Sequence, residues 1–260
     1  MQEIAVLGLG YAGVRIFQEC KSIAHAKVRG FSARTQILDS ALCDFGSEAQ
    51  LKDFLHQFEN NPFDQLIITF PLQKLQNSES VIGVISKVSK NFWLLGTTSI
   101  YKRVPDITEI SPKDPLHDRY QLEEQFLQAG GKVLRLCGIY GSGRNPGNWA
   151  RAGKVQKSKR QVNLIHGDDI AKTVRTIFEF SEFEYPSELI LSDNQWHTWF
   201  EIFRFLEDMG KIDSRPEQEP DREDAFVDSR LIRKILPGLQ TKDFWQELEK
   251  LEESNDLRDH

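Results

Sequence analysis

The sequence predicts an α/β fold, a doubly wound parallel sheet followed by a small C-terminal lobe. Three observations carry that expectation. Five short apolar segments recur between the N-terminus and residue 137, separated by stretches with helical spacing. Those segments do not alternate apolar with polar, which suits strands covered on both faces. The first of them runs into Gly8-Leu9-Gly10-Tyr11-Ala12-Gly13, which opens a helix. Strands alternating with helices imply parallel pairing through right-handed crossovers.

In order, residues 4–7 form the first strand, and Val14, Ile16 and Phe17 begin the helix after the glycines. Residues 27–32 are the second strand and residues 50–58 a helix. Residues 66–70 (Leu-Ile-Ile-Thr-Phe) are a strong strand stopped by Pro71, and residues 78–89 a helix. Residues 92–95 are a strand ending in Gly96-Thr97-Thr98-Ser99, and residues 122–128 a helix. Residues 133–137 are the last strand of this series, ending in Gly138-Ile139-Tyr140-Gly141. Beyond it, Gly143, Pro146, Gly147 and Gly153 mark a loop, and the five basic residues of 151–160 are expected to be solvated or substrate-facing. Asp168 is placed to cap a helix over 170–178. A short strand at 189–191, a helix at 199–209, a polar loop at 213–224 and two helices at 229–236 and 242–251 complete the chain. Trp196, Trp199, Phe200 and Phe203 have the spacing of a packing face.

Composition narrows the function. The 260 residues amount to 30.0 kDa with a formal charge of −6. That balance argues against a dedicated nucleic-acid binder. No apolar run is long enough to cross a membrane. Glu3 precedes a short apolar run that ends in glycines, with no small-residue cleavage site after it, so a cytoplasmic protein is expected. Cys20, Cys43 and Cys137 have no metal spacing and fit buried thiols. The charge is unevenly spread: residues 1–160 carry a net +6 and residues 161–260 a net −12. A basic first part suits an anionic ligand. Neither a Gly-x-Ser-x-Gly elbow nor a phosphate-loop Gly-Lys-Ser/Thr occurs.

Gly8 to Gly13 fits G-x-G-x-x-G in the strand–turn–helix context that the motif needs. Gly8 permits the tight turn, Gly10 lets a pyrophosphate approach the backbone, and Gly13 lets helix and sheet pack closely. The helix N-terminus, with Tyr11 and Ala12, then faces the phosphates. At the end of the second strand, NAD sites place an acid for the ribose hydroxyls. Ser32, Ala33 and Arg34 stand there instead. Arg34 offers a fork for a 2′-phosphate, so NADP is expected, with NAD as the alternative.

Four segments taken together resemble the extended short-chain dehydrogenases, the NAD-dependent epimerase/dehydratases. They are Gly8 to Gly13, the run from Thr97 to Tyr101, the run from Leu134 to Arg144, and the run from Val162 to Ala171. Their order matches the family, and they span residues 4 to about 180. Leu189 to Asp193 is similar to the family's substrate-lobe strand. The resemblance implies a Rossmann domain over 1–160. It implies a C-terminal part over 161–260, in which a helix returns to the core and a small substrate lobe follows. It places Asp44 and Phe45 near the adenine, Thr69, Phe70 and Pro71 along the cofactor, and Arg144 against an anionic part of the substrate. It implies a small-molecule substrate such as a sugar-nucleotide, and allows a homodimer.

Family enzymes use a Ser or Thr with Tyr-x-x-x-Lys, the lysine lowering the tyrosine pKa. Thr97, four residues before Tyr101, matches the hydroxyl. No Tyr-x-x-x-Lys occurs anywhere; the best register puts His117 at the tyrosine position and Gln121 at the lysine position. A histidine titrates near neutrality and can act as acid or base in its place. The alternative is a catalytically inactive NADP(H)-binding sensor or regulatory module.

Overall fold

The structure, a computed structural model, describes residues 1–33, 36, 38–220 and 223–256. Arg34 lies outside the described residues. In chain order the elements are β1 (Gln2–Leu7), α1 (Tyr11–Cys20), β2 (Ala26–Ser32), β3 (Ala41–Leu42), α2 (Glu48–Phe58), β4 (Gln65–Ile68), α3 (Ser78–Val88), β5 (Phe92–Thr97), β6 (Asp106–Ile107), α4 (Tyr120–Gln128) and β7 (Lys132–Leu136). There follow β8 (Gly138–Tyr140), α5 (Pro146–Arg151), β9 (Gln161–Val162), β10 (Leu164–His166), α6 (Gly167–Glu179), β11 (Glu188–Leu191), β12 (His197–Thr198), α7 (Trp199–Asp208), β13 (Phe226–Val227), α8 (Arg230–Ile235) and α9 (Phe244–Asp256).

Seven strands make one sheet in the order β3-β2-β1-β4-β5-β7-β11. β1 lies between β2 and β4 and is parallel to both, Leu7 standing beside Phe31 on one side and Ile68 on the other. The chain therefore leaves β1 in one direction through β2 and β3, then returns to β1's other side for β4 and β5. Ligands of such sheets bind outside the carboxyl ends of the strands at that reversal. Ile4, Ala5, Val6 and Leu7 are fully buried, as a strand covered on both faces requires. On one face Phe31 meets the edges of Phe45, Phe54, Phe58 and Phe63, with ring centroids 5.1 to 6.5 Å apart. Such edge-to-face contacts add to the burial itself.

The α/β expectation holds across the sheet, with instructive differences at its edges. β4 stops at Ile68, two residues early; the Thr69 N–H still donates to the Leu7 carbonyl, and the Thr69 hydroxyl turns back onto the carbonyls of Leu7 and Gly8. β3 has only two residues, both exposed, too few to leave a periodic signal.

The chain divides into two compact units. Unit 1 comprises Met1–Ile100, Lys113–Arg135 and Ile170–Leu189. Unit 2 comprises Tyr101–Pro112, Leu136–Asp169 and the chain from Ile190 onward. Unit 2 has its own core of Tyr140, Leu164, Trp199, Ile202, Phe203 and Phe244. Its α7 begins with a reciprocal cap, Thr198 accepting from the Glu201 N–H while Glu201 accepts from the Thr198 N–H.

Three expectations for this unit need correction. The basic run is solvated only in part: Lys154 and Lys159 are exposed, but Arg151 donates to the buried Glu252, and Lys157, 7% exposed, pairs with Glu207 at 2.7 Å. A lysine that deep is stable only when paired, and Glu207 lies on the helix packed against it. Asp168 is not a cap but sits within the first turn of α6, where its carboxylate takes Lys242 at 2.9 Å. Trp196 is not core: it is 56% exposed and stacks on Phe226 at 4.1 Å, because β12 begins one residue later and turns its neighbours inward instead. Among the described residues no helix is long and apolar enough to cross a membrane.

Candidate nucleotide and proton-transfer site

The glycine turn is built from contacts that side chains would destroy. Gly8 has φ of +88°, the left-handed region, and its N–H donates to the Phe31 carbonyl at 2.8 Å. Gly13 is the tightest point. A Cβ there would lie 1.9 Å from the Gly8 carbonyl oxygen and 2.5 Å from the Thr69 hydroxyl. Gly10 is different: a Cβ would meet nothing within 4 Å. Gly10 is the N-cap of α1 and is exposed, so a ligand can come close to the backbone at the N-terminus of the helix. The amides of the first turn and the helix dipole favour an anion there. Ala12 is buried, and the Tyr11 ring lies under the Arg15 guanidinium at 4.0 Å.

A cleft of about 270 Å³ opens beside this turn, and Gly8, Asp44, Phe45, Phe70, Pro71 and Lys74 line it. Phe70 stacks on Phe45 at 5.9 Å, forming an apolar wall. The Asp44 carboxylate accepts from the Gly46 N–H at 2.9 Å. Lys74 is a cation on the lining that the motif gave no reason to single out. Cys43 also lines the cleft, and burial first, then the charges of Asp44 and Asp53, push its thiol up to about 11. Thr69 lies beside the turn and holds Gly8 and Leu7 through its hydroxyl. Ser32 is buried at the end of β2, its carbonyl accepting from the Cys43 N–H.

Thr97 and His117, 20 residues apart, come together through a residue that the sequence did not single out. Thr97 Oγ1 is 3.0 Å from Ser99 Oγ, and Ser99 Oγ is 3.1 Å from His117 Nε2. On the other side of the ring, Nδ1 accepts from the Arg119 N–H at 3.2 Å and also lies 3.2 Å from the Asp118 carboxylate. Ser99 was missed because it follows β5 in a one-turn 3-10 helix, Thr98–Ile100, whose geometry no apolar period announces.

A buried ionic cluster in unit 1 holds the segment that carries His117. Lys113 Nζ reaches Glu124 and Glu188, each at 2.7 Å. Arg135 is fully buried and donates to both Glu123 and Glu188. Glu123 and Glu124 lie on α4, immediately after His117, and the Asp114 N–H donates to the Ile100 carbonyl at 2.7 Å. The segment is thereby tied down at both ends. Lys113 is spent on two carboxylates, and Gln121 is exposed on α4.

In unit 2, Arg144 is exposed, and its N–H donates to the Gly141 carbonyl at 2.8 Å. Asn145 beside it caps α5 and donates to Glu252 at 2.7 Å.

No protein-family model and no curated protein matches this sequence. Solved structures do match. An NAD-dependent epimerase/dehydratase, so designated, from Methylobacillus flagellatus superimposes with a TM-score of 0.79 at 16% identity, covering 98% of this chain and 99% of that one. The UDP-N-acetylglucosamine 4-epimerase of Bacillus cereus gives 0.72 at 15% identity, over 97% and 98% of the two chains. The dTDP-glucose 4,6-dehydratase of Bacillus anthracis, in complex with NAD, gives 0.74 at 13% identity, over 98% and 97%. The fold is thus a Rossmann-type α/β fold over nearly the whole chain. That agrees with the α/β expectation from the alternation of strands and helices.

Proposed function

We propose that this chain binds a nicotinamide dinucleotide at the glycine turn and performs epimerase/dehydratase-type chemistry on a sugar-nucleotide or another small polar substrate. The observation that carries the proposal is the open space at Gly10, where an otherwise close-packed turn leaves room for a ligand to approach the backbone at the N-terminus of α1. The amides there would hold the pyrophosphate. The adjacent cleft would take the adenosine end, with Phe45 and Phe70 against the base. NADP is preferred to NAD, since β2 ends in Ser32 with no acid to hold a free ribose, and Lys74 adds a cation on the cleft lining. Arg144 would face an anionic part of the substrate, and a cytoplasmic setting suits three buried cysteines that form no disulfide among the described residues.

When bound, the nicotinamide supplies the two-electron chemistry. The protein's own task is then to hold one substrate oxygen and move its proton. The Thr97 hydroxyl is placed to hold the oxygen, and His117 to act as acid or base, since both belong to one hydrogen-bonded group.

Fluorescence titration with NADPH and NADH tests this directly. Binding of both with NADPH the tighter is expected, and Gly10→Val should weaken either by at least about tenfold, since its side chain would enter the phosphate position. If neither nucleotide binds the wild-type protein, the proposal fails. If NADPH binds tightly and no oxidised or reduced sugar-nucleotide turns over, the protein is a sensor rather than an enzyme.

A further inference from the structure

We infer that Glu252, on the last helix, positions Arg144 for its substrate: the Glu252 carboxylate anchors the turn that presents this arginine, and so sets the affinity of unit 2 for a diphosphate group. The inference rests on the substrate contact proposed for Arg144 and traces its geometry to a residue that no motif marks.

Arg144 closes a tight turn. Its N–H donates to the Gly141 carbonyl at 2.8 Å, and the Gly141 N–H donates back to the Arg144 carbonyl at 3.3 Å. Gly141 and Gly143 have φ of +130° and +81°, values that suit glycine and few other residues. Ser142, Gly143 and Arg144 are exposed, while Asn145, Pro146 and Gly147 are buried. The turn is therefore shaped by its own bonds, but its placement depends on what holds Asn145.

The Asn145 side chain, 3% exposed, is held at both ends of its amide. Oδ1 accepts from the Gly147 N–H at 2.8 Å, which leaves Nδ2 to donate to Glu252 Oε1 at 2.7 Å. Arg151, the last residue of α5, holds the same carboxylate in a fork: Nη1 donates to Oε2 at 2.7 Å and Nη2 to Oε1 at 3.1 Å. Glu252 is 1% exposed, and a carboxylate that deep needs such donors. Gly147 makes the approach possible, since a Cβ there would lie 2.1 Å from Glu252 Oε1. Phe244 and Leu248 are fully buried in the core of unit 2, which fixes the helix that carries the carboxylate. Asn145 adjoins Arg144 in the chain, so Glu252 acts on the arginine through one residue. Glu252 is a positioning residue and need not touch the substrate.

The competing account is that the Glu252 ion pair only docks α9. A double-mutant cycle on the full chain separates the two, with UDP as the probe and calorimetric titration as the readout. Arg144→Ala should weaken UDP, which tests the arginine contact itself. Glu252→Gln should weaken UDP by about threefold to tenfold, the range for one impaired hydrogen bond. In the Arg144→Ala background the same change should have no further effect, because Glu252 acts through that arginine. Asn145→Ala leaves the ion pair with Arg151 in place and should repeat the pattern, which covers the case in which Glu252→Gln does not fold. A docking role alone predicts lower stability in denaturant with UDP affinity unchanged, or equal losses of affinity in both backgrounds. Either result overturns the inference. If the wild type does not bind UDP, or Arg144→Ala binds it equally well, the substrate contact proposed for Arg144 fails and the inference with it. NADPH fluorescence judges the glycine turn separately.

Discussion

Two parts of unit 1 bear on function and are built in opposite ways. The glycine turn is a contiguous stretch, Gly8 to Gly13, whose shape comes from steric exclusion. Gly13 presses on the Gly8 carbonyl, and Thr69, just after β4, locks the same carbonyl. The proton-transfer group is discontinuous. Thr97 and Ser99 follow β5, His117 precedes α4, and what holds them is charge: Lys113, Glu124, Glu188, Arg135 and Glu123. A site made by close packing of neighbours in sequence leaves its pattern in the sequence. One that distant ion pairs hold together does not.

The largest expected effect tests the second part. Arg135→Ala would leave Glu123, 1% exposed, and Glu188 without their shared cation. Breaking a buried pair in this way costs about 3–5 kcal/mol. Denaturant unfolding should show that loss, and the nitrogen-15 NMR signal of the His117 ring should move with it. If stability is unchanged, the ionic cluster does not hold the segment and the contrast collapses.

A smaller effect tests the first part. Gly13→Ala places a methyl group 1.9 Å from the Gly8 carbonyl, a rigid neighbour that can yield only by deforming the turn. Overpacking of this kind costs about 1–3 kcal/mol. Nucleotide affinity should fall with stability, whereas Gly10→Val, with open space at its Cβ, should lose affinity alone. Equal stability losses in the two variants would show that the turn does not divide into a packed and an open side.

The smallest effect lies at the other end of the same strands and serves as a control. Burial alone would raise the Asp64 carboxyl, but the hydrogen bonds from Lys90 and the Glu3 N–H, with the Lys90 charge, hold it below its ordinary 3.8. A depressed carboxyl stabilises the fold fully above that ordinary value, and the contribution disappears as pH falls through the lower folded value. Asp64→Asn should therefore flatten the acid limb of the stability curve by about 1 kcal/mol or less, as for a partly exposed pair. Nucleotide affinity should not change. A change in affinity would mean that the two ends of the sheet are coupled.

Much of the sheet was readable from sequence because its strands are short apolar runs between glycines and prolines, as at residues 4–7 and 92–95. The expected boundaries failed at ends where side chains bond to distant parts of the chain. At the end of β4 the Thr69 hydroxyl bonds back to the Leu7 carbonyl, and in the first turn of α6 Asp168 pairs with Lys242, 74 residues on. Within the basic run at 151–160, Arg151 and Lys157 departed from the expectation because their partners Glu252 and Glu207 are about 50 to 100 residues away.

The sequence by itself determined the alternation of strand and helix, the glycine turn, and the absence of Tyr-x-x-x-Lys. Each is a local matter of periodicity, backbone sterics or residue identity. Only the tertiary structure decided that Gly10 stands open while Gly13 is closed, that Phe70 and Phe45 share one wall, and that Ser99 bridges Thr97 to His117. Those facts depend on distances between segments brought together by the parallel crossovers and the buried charges, and a hydrogen bond or a carbonyl contact is decided within a few tenths of an ångström, which no spacing along a chain can specify.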